Sequence, residues 1–226
     1  RSTQQSTLFP YTTLFRSHDH PVVRDGLQML LEAQRDMKVV ASVGTGKDAV
    51  REALRLRPDV VVMDIVMPEL NGIDATARIM EKLPSTHVVI LSMYASPEYI
   101  YRAFHAGACG YVFKESAGSE VTAAIRAARE GRRYMSEEAS DAVMEGFMQV
   151  GSFLNTESPF ARLSRREREV LQLLVEGKTG TEIAREVFLS PKTVDTYRRR
   201  IMTKLGVKGM PALIRFAIQN GLTGTD

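Results

Sequence analysis

The chain has 226 residues, of which 44% are hydrophobic, and a formal net charge of +3 at pH 7. This length predicts two domains of ordinary size. One cysteine excludes an internal disulfide framework, and no apolar run is long enough to span a bilayer, so we expect a protein of the reducing cytoplasm without a membrane partner.

Short apolar runs alternate with amphipathic segments in the first part of the chain. Strands are predicted at 37–43, 59–63, 87–91 and 110–113, and helices at 22–34, 47–56, 72–83, 96–106 and 117–130. This alternation predicts an α/β fold, a doubly wound parallel sheet joined by right-handed crossover helices. Residues 134–150 are expected to form one more helix, and residues 151–160, rich in Gly, Ser, Asn and Pro, a linker.

The segment before residue 18 does not fit this alternation. It is rich in Thr and Ser, and it has Pro10 and Arg16 where a doubly wound fold needs its first central strand, although 13–15 offers a few strand residues. Its composition suggests the hypothesis that a frame or assembly scar replaces the native start. The predicted domains are an atypical segment at 1–17, an α/β domain at 18–131, a helical linker at 132–160 and a second domain at 161–226.

The second domain is predicted to be entirely helical. Ser164 with Glu167 and Thr179 with Glu182 have capping-box spacing, and Ser190-Pro191 is a third start signal. Helices are expected at 165–176, 180–187, 191–205 and 210–220, and the separation of the second and third by three residues is typical of a helix-turn-helix. Residues 162–208 contain twelve Lys and Arg against six Asp and Glu, so this segment has a net charge of +6, whereas the rest of the chain has a net charge of −3. This charge separation points to a polyanionic partner for the second domain.

Asp64 is the residue of the α/β domain with the clearest chemical implication. It ends the apolar run Val60–Met63, at the carboxyl edge of the sheet, where open α/β sheets bind their ligands. Ser92 and Lys114 follow two further predicted strands. Taken singly, each of these residues is more often a turn former or a solvated charge. Together at the ends of three successive strands, they favour a functional site.

Residues 19–131 resemble a response-regulator receiver domain, on the basis of Asp64 with Met67-Pro68 and Gly72, of Ser92, and of Lys114 after 110–113. The resemblance implies a five-stranded flavodoxin-like fold in which a sensor histidine kinase phosphorylates Asp64. It implies a Mg²⁺ ion that bridges carboxylate and phosphoryl oxygens. The residues implied are Asp19, Asp64 and the Val66 carbonyl for the metal, and Ser92, Tyr111 and Lys114 for phosphoryl binding and switching.

The chain departs from the receiver pattern at the metal site. The family has two adjacent acidic residues after its first strand, whereas here His18 precedes Asp19. Because Mg²⁺ prefers oxygen ligands, an imidazole is a poor substitute. We therefore expect weaker Mg²⁺ binding and phosphorylation than in a protein with both acids, unless His18 and His20 are simply exposed residues of a displaced segment.

Residues 163–206 resemble the LuxR-type helix-turn-helix of the NarL/FixJ family, on the basis of 163–171, 177–178, 182–184, 189–194 and 204–206. In the helix that begins at Pro191, one stripe is apolar and the opposite stripe is polar, the pattern of a recognition helix in the major groove. The residues predicted to read base edges are Asp195, Thr196 and Arg199. Those predicted to contact DNA phosphates are Lys178, Thr179, Lys192, Thr193, Arg198, Arg200 and Lys204. A merely solvated basic face is the alternative.

These resemblances together predict a phosphorylation-dependent transcription regulator that binds double-stranded DNA as a homodimer and is not an enzyme. The apolar face of 210–222 either packs into the core or, as the family implies, pairs with a second copy. One alternative is a pseudo-receiver regulator that binds DNA without phosphorylation, because the acidic pair is incomplete. A less favoured alternative is an Asp-dependent phosphohydrolase, which lacks support because no second catalytic acid accompanies Asp64.

Overall fold

The computed structural model describes residues 11–15, 21–94, 96–149 and 162–219. The strands are β1 (Tyr11–Phe15), β2 (Met37–Ser42), β3 (Val60–Asp64), β4 (His87–Ser92), β5 (Gly110–Phe113) and β6 (Tyr134–Met135). The helices of the first part are α1 (Pro21–Glu32), α2 (Gly46–Leu56), α3 (Gly72–Lys82), α4 (Pro97–His105), α5 (Ala117–Arg129) and α6 (Glu137–Gln149). Those of the second part are α7 (Arg165–Val175), α8 (Gly180–Glu186), α9 (Pro191–Leu205) and α10 (Met210–Gln219).

The first domain contains a parallel sheet with strand order β2-β1-β3-β4-β5-β6. The first five strands follow the flavodoxin-like order, which confirms the predicted doubly wound fold. The central strand β3 is buried along its whole length, which explains its unbroken apolar run. One apolar cluster packs on each face of the sheet, with α2, α3 and α4 on one side and α1 and α5 on the other.

Two features differ from the sequence expectation. The central strand β1 lies within the segment 1–17 that the sequence sets apart, and it pairs with both β2 and β3. Residues 134–135 form the short edge strand β6, and the helix expected from residue 134 begins at Glu137. Ser136 is buried between them and its carbonyl accepts the first helical hydrogen bond from Ser140 N–H at 3.0 Å, so the chain turns there before the helix starts.

The second domain is the predicted helix-turn-helix. Both expected capping boxes are present, at Ser164 with Glu167 and at Thr179 with Glu182. Helix α9 has Ser190 as its N-cap and ends at Gly206, which has a φ of 68°. The capping side chains satisfy backbone N–H groups that would otherwise lack partners, so these helices begin where the sequence indicates, and the left-handed backbone of Gly206 ends α9. Across the described ranges, no helix has the length and apolar character needed to cross a membrane.

Candidate phosphoacceptor site and DNA-binding surface

Asp64 lies at the carboxyl end of β3 and is only 2% exposed. Its neighbours in the sheet are fixed by register, because Asp64 pairs with Leu91 and the next residue of β4, Ser92, pairs with Phe113. Gly72 lets the chain return against this edge, since a Cβ at that position would lie 1.8 Å from the Asp64 carbonyl oxygen. The sheet and the first turn of α3 therefore hold the backbone of Asp64 in a fixed place.

Lys114 is the cationic partner of Asp64. Its Nζ donates to Asp64 Oδ2 at 2.6 Å, and the two side chains are 8% and 2% exposed. The other carboxylate oxygen, Oδ1, accepts from the Val66 N–H at 3.2 Å. The Lys114 N–H donates to the Ser92 carbonyl at 2.9 Å, so the strand ends that carry both residues are joined directly. A buried carboxylate with a lysine beside it suits an incoming phosphoryl group, whose added negative charge the ammonium can balance.

Ser92 and Tyr111 complete the set of predicted switch residues and are both fully buried. Ser92 Oγ accepts from the Tyr94 N–H at 3.0 Å, while the Tyr111 hydroxyl donates to the Tyr94 carbonyl at 2.7 Å. Burial raises the pKa of the Tyr111 phenol, so it remains a neutral donor. The loop after β4 is thus connected by Tyr94 to both predicted switch residues, a role that the sequence did not reveal because both contacts use the Tyr94 backbone.

The predicted metal donors are only partly within the described residues. Asp64 and the Val66 backbone lie there, whereas His18 and Asp19 lie outside them. In the described part of the chain, no group of three or more His, Cys, Asp or Glu residues is placed to hold a metal ion. One buried carboxylate and a loop carbonyl are hard oxygen donors of the kind that Mg²⁺ prefers, so these two residues are compatible with the predicted ion.

The recognition helix α9 has the two opposed faces that the sequence predicts. Val194 and Ile201 are buried in the domain core with Tyr197 and Leu205 packed against it, next to Leu171, Ile183 and Val187. The opposite face is exposed, and it carries the three residues predicted to read bases, Asp195, Thr196 and Arg199. The Thr196 hydroxyl donates to the Lys192 carbonyl at 3.0 Å, which commits that hydroxyl to the helix and leaves the methyl group for apolar contact.

The predicted phosphate contacts surround this face. Thr179, Lys192, Arg198, Arg200 and Lys204 are exposed, and Lys178 and Thr193 are half-buried. Some of these side chains already have anionic partners, since Lys204 Nζ donates to Glu167 at 2.6 Å and Lys178 Nζ donates to Glu186 at 2.5 Å. Arg198 forms an ion pair with Asp195 at 3.2 Å. DNA phosphates would compete with these carboxylates for the same cations.

Contacts between the two domains are a second feature that the sequence does not reveal. They join α7 and α8 to the loop 65–71 and to α2 and α3, and they include an ion pair from Arg168 Nε to Asp74 Oδ1 at 3.0 Å. The one available signal was Gln172, a polar residue within the apolar run of α7, which is 2% exposed. Hydrophobic pattern alone gives no indication of its partner on another domain.

Two family models match the chain. The model described as response regulator receiver domain matches residues 18–126, and the model described as bacterial regulatory proteins, luxR family, matches residues 161–217. The two matches correspond to the α/β domain and to the helix-turn-helix domain.

Proteins of known sequence and structure are similar to the chain over all or part of its length. The oxygen regulatory protein NreC of Staphylococcus aureus (strain bovine RF122 / ET3-1) is 37% identical over 207 residues, which cover 90% of this chain and 95% of NreC. A LuxR-family two-component response regulator from Aurantimonas sp. SI85-9A1 is 34% identical with a TM-score of 0.59, over 62% of this chain and 99% of that one. A complex of the response regulator RcsB with DNA gives 26% identity and a TM-score of 0.58, over 95% of this chain and all of that chain (100%).

Proposed function

The chain belongs to the two-component response regulators that join a receiver domain to a LuxR-type DNA-binding domain, and from this premise we propose that phosphorylation of Asp64 by a sensor histidine kinase controls its binding to DNA. The observation that carries the proposal is the buried pair of Asp64 and Lys114 at the sheet edge, separated by 2.6 Å. Asp64 would act as the nucleophile toward the phosphoryl group, and Lys114 would then face the phosphoryl oxygens.

The remaining residues of the site have supporting parts in this proposal. The Ser92 hydroxyl would donate to a phosphoryl oxygen through its O–H, while a lone pair of the same oxygen accepts from the Tyr94 N–H, as it does in this structure. Asp19, Asp64 and the Val66 carbonyl would hold Mg²⁺, which neutralises negative charge during transfer when it is bound. Because His18 stands in place of a second acid, we expect this chain to bind the ion more weakly than receivers with both carboxylates.

DNA recognition is proposed for the exposed face of α9. Arg199 would donate to guanine, Asp195 would accept from cytosine and the Thr196 methyl group would contact thymine, with the surrounding cationic and hydroxyl side chains on phosphates. We further propose a homodimer on DNA. Leu213 and Ala217 of α10 are fully buried in the domain core, whereas Ile214 is 37% exposed and offers an apolar side chain to a partner copy.

Incubation of the full chain with acetyl phosphate and Mg²⁺, followed by intact-mass measurement, tests the phosphoacceptor. We expect the wild-type chain to gain one phosphoryl group and Asp64→Asn to gain none. Asp59→Asn, which changes a carboxylate at the opposite end of the same strand, is the matched control and should still be phosphorylated. Failure of the wild-type chain to gain mass would favour a regulator that binds DNA without phosphorylation.

A further inference from the structure

The docked helix-turn-helix domain contacts the loop that follows the phosphoacceptor. Gln172 Nε2 donates to the Met67 carbonyl at 3.3 Å, and the Glu69 N–H donates to Glu176 Oε1 at 2.8 Å. Gln172 also donates to Glu176 Oε1 at 2.7 Å, so the two side chains bind the loop backbone as a unit. Main-chain atoms of the loop 65–71 thereby attach it to side chains of the second domain.

A third residue of the same helix face contacts the first turn of α3, directly after this loop. Arg168 Nε lies 3.0 and 3.2 Å from the two oxygens of Asp74, a buried residue whose N–H donates to Asn71, the N-cap of α3. Arg168, Gln172 and Glu176 are spaced four residues apart, so they form one stripe along α7. We call these three residues the α7 clamp.

The loop held by the clamp is continuous with the site of phosphorylation. At its start the Val66 N–H donates to Asp64 Oδ1 at 3.2 Å, and near its end the Gly72 N–H returns to the Ile65 carbonyl at 2.8 Å. Glu69, whose N–H binds the clamp, has a φ of 67°, a left-handed conformation that costs a non-glycine residue on the order of 1 kcal/mol. The clamp therefore stabilises a left-handed backbone conformation at Glu69 that a non-glycine residue disfavours.

Docking leaves the predicted base-reading face uncovered. Asp195, Thr196 and Arg199 are exposed while the clamp contacts are in place, and within the described ranges the contacts with the receiver come from α7 and α8. The docked arrangement is therefore suited to act on the phosphoacceptor loop rather than to block that face. By reciprocity, a domain that binds the unphosphorylated loop more tightly opposes phosphorylation, and phosphorylation in turn weakens docking.

We propose that the α7 clamp is a positioning device for the phosphoacceptor: by holding the loop 65–71 in its unphosphorylated conformation, it slows phosphoryl transfer to Asp64. This inference rests on the proposed function, since it presumes that Asp64 accepts a phosphoryl group. Arg168, Gln172 and Glu176 act through the loop and not on the reacting atoms.

The test compares full-length variants at the clamp with one at the edge of the same interface. Glu176→Ala removes the acceptor of the Glu69 N–H, and Glu176→Gln retains an amide oxygen in its place. Arg165→Ala is the matched control, because it removes an exposed interdomain ion pair to Glu81, at 3.3 Å, that does not touch the loop. Amide hydrogen exchange across residues 65–72 is measured without phosphodonor, and the initial rate of phosphorylation is measured with acetyl phosphate and Mg²⁺.

We expect Glu176→Ala to exchange faster in this segment and to be phosphorylated about 5-fold faster or more, the lower range of ordinary coupling between sites. Glu176→Gln and Arg165→Ala should stay within about 2-fold of wild type in both measurements. Unchanged exchange in Glu176→Ala, or faster exchange with an unchanged or slower phosphorylation rate, would overturn the proposal. A wild-type chain that takes no phosphoryl group would instead refute the proposed function, and the exchange measurement would still decide whether the clamp holds the loop.

Discussion

At the scale of single residues, the proposed phosphoryl chemistry requires a charged carboxylate inside the protein. Desolvation of an isolated charge costs several kcal/mol, so a buried Asp64 requires an opposite charge close by. Lys114 provides it at 2.6 Å, and the Val66 N–H binds the second oxygen. After transfer, the ammonium would still face negative charge, so phosphorylation would exchange one ion pair for another without leaving the lysine buried alone.

The exposed face of α9 allows a prediction that separates base reading from phosphate binding. Arg199→Ala should weaken binding to a DNA duplex selected by the chain from a random pool by about 1–3 kcal/mol, and it should relax the preference at one base pair. The matched variant Lys192→Ala should weaken binding to all sequences similarly and lower the slope of log affinity against log salt by about 1. Fluorescence anisotropy with single-base variants of the duplex at several salt concentrations distinguishes the two.

Loss of sequence preference in Lys192→Ala, together with a uniform effect of Arg199→Ala, would show that the two roles are assigned to the wrong residues.

At the scale of elements, helix ends in the DNA-binding domain also connect its helices. Glu167 completes the capping box of α7 by accepting from the Ser164 N–H at 2.7 Å, and it binds Lys204 of α9 at 2.6 Å. Burial alone would raise the pKa of Glu167, but the hydrogen bonds from Lys204 and Ser164 outweigh it and hold that pKa below the ordinary glutamate range. One carboxylate thus caps the first helix and attaches it to the recognition helix.

This arrangement predicts a pH-dependent contribution to stability. Because the folded-state pKa of Glu167 is lowered, its contribution is present above the unfolded pKa and is lost as pH falls through the folded pKa. Glu167→Gln should lower the free energy of unfolding by about 1 kcal/mol at pH 7 and by less at pH 3. Urea unfolding of the full chain, followed by circular dichroism at both pH values, measures this difference.

Glu182→Gln alters the equivalent residue of the other capping box, which is exposed, and should have the smaller effect at pH 7. Equal losses in the two variants would mean that the contact between Glu167 and Lys204 adds nothing to the cap.

Helix starts and the strands after residue 36 could be predicted because their signals are local. Ser164, Thr179 and Ser190 precede their helices with the residue types that cap backbone N–H groups, and the apolar run before Asp64 indicates a buried strand. The two-residue strand β6 could not be predicted, because pairing with β5 determines it. The Tyr94 contacts were equally hidden, since backbone hydrogen bonds between distant segments leave no residue-type signal.

At the scale of the whole molecule, the receiver and the DNA-binding domain are connected through the loop after Asp64. Gln172 and Glu176 contact this loop, Arg168 contacts the adjacent turn of α3, and Lys47 extends the interface by donating to Glu186 at 2.6 Å. Glu186 also binds Lys178, a residue predicted to contact DNA phosphate, at 2.5 Å. A charge network therefore runs from Lys47 of the receiver through Glu186 to Lys178, and a DNA phosphate that bound Lys178 would compete with Glu186 for it.

The affinity for DNA with and without phosphorylation tests the central claim most directly. Anisotropy is measured with the selected duplex at one fixed salt concentration, with Mg²⁺ throughout, before and after treatment with acetyl phosphate, for the wild-type chain and for Asp64→Asn. We predict that treatment tightens binding of the wild-type chain and leaves Asp64→Asn unchanged. Equal affinity of the wild-type chain in both states, after its phosphorylation has been verified by mass, would contradict the claim that Asp64 controls DNA binding.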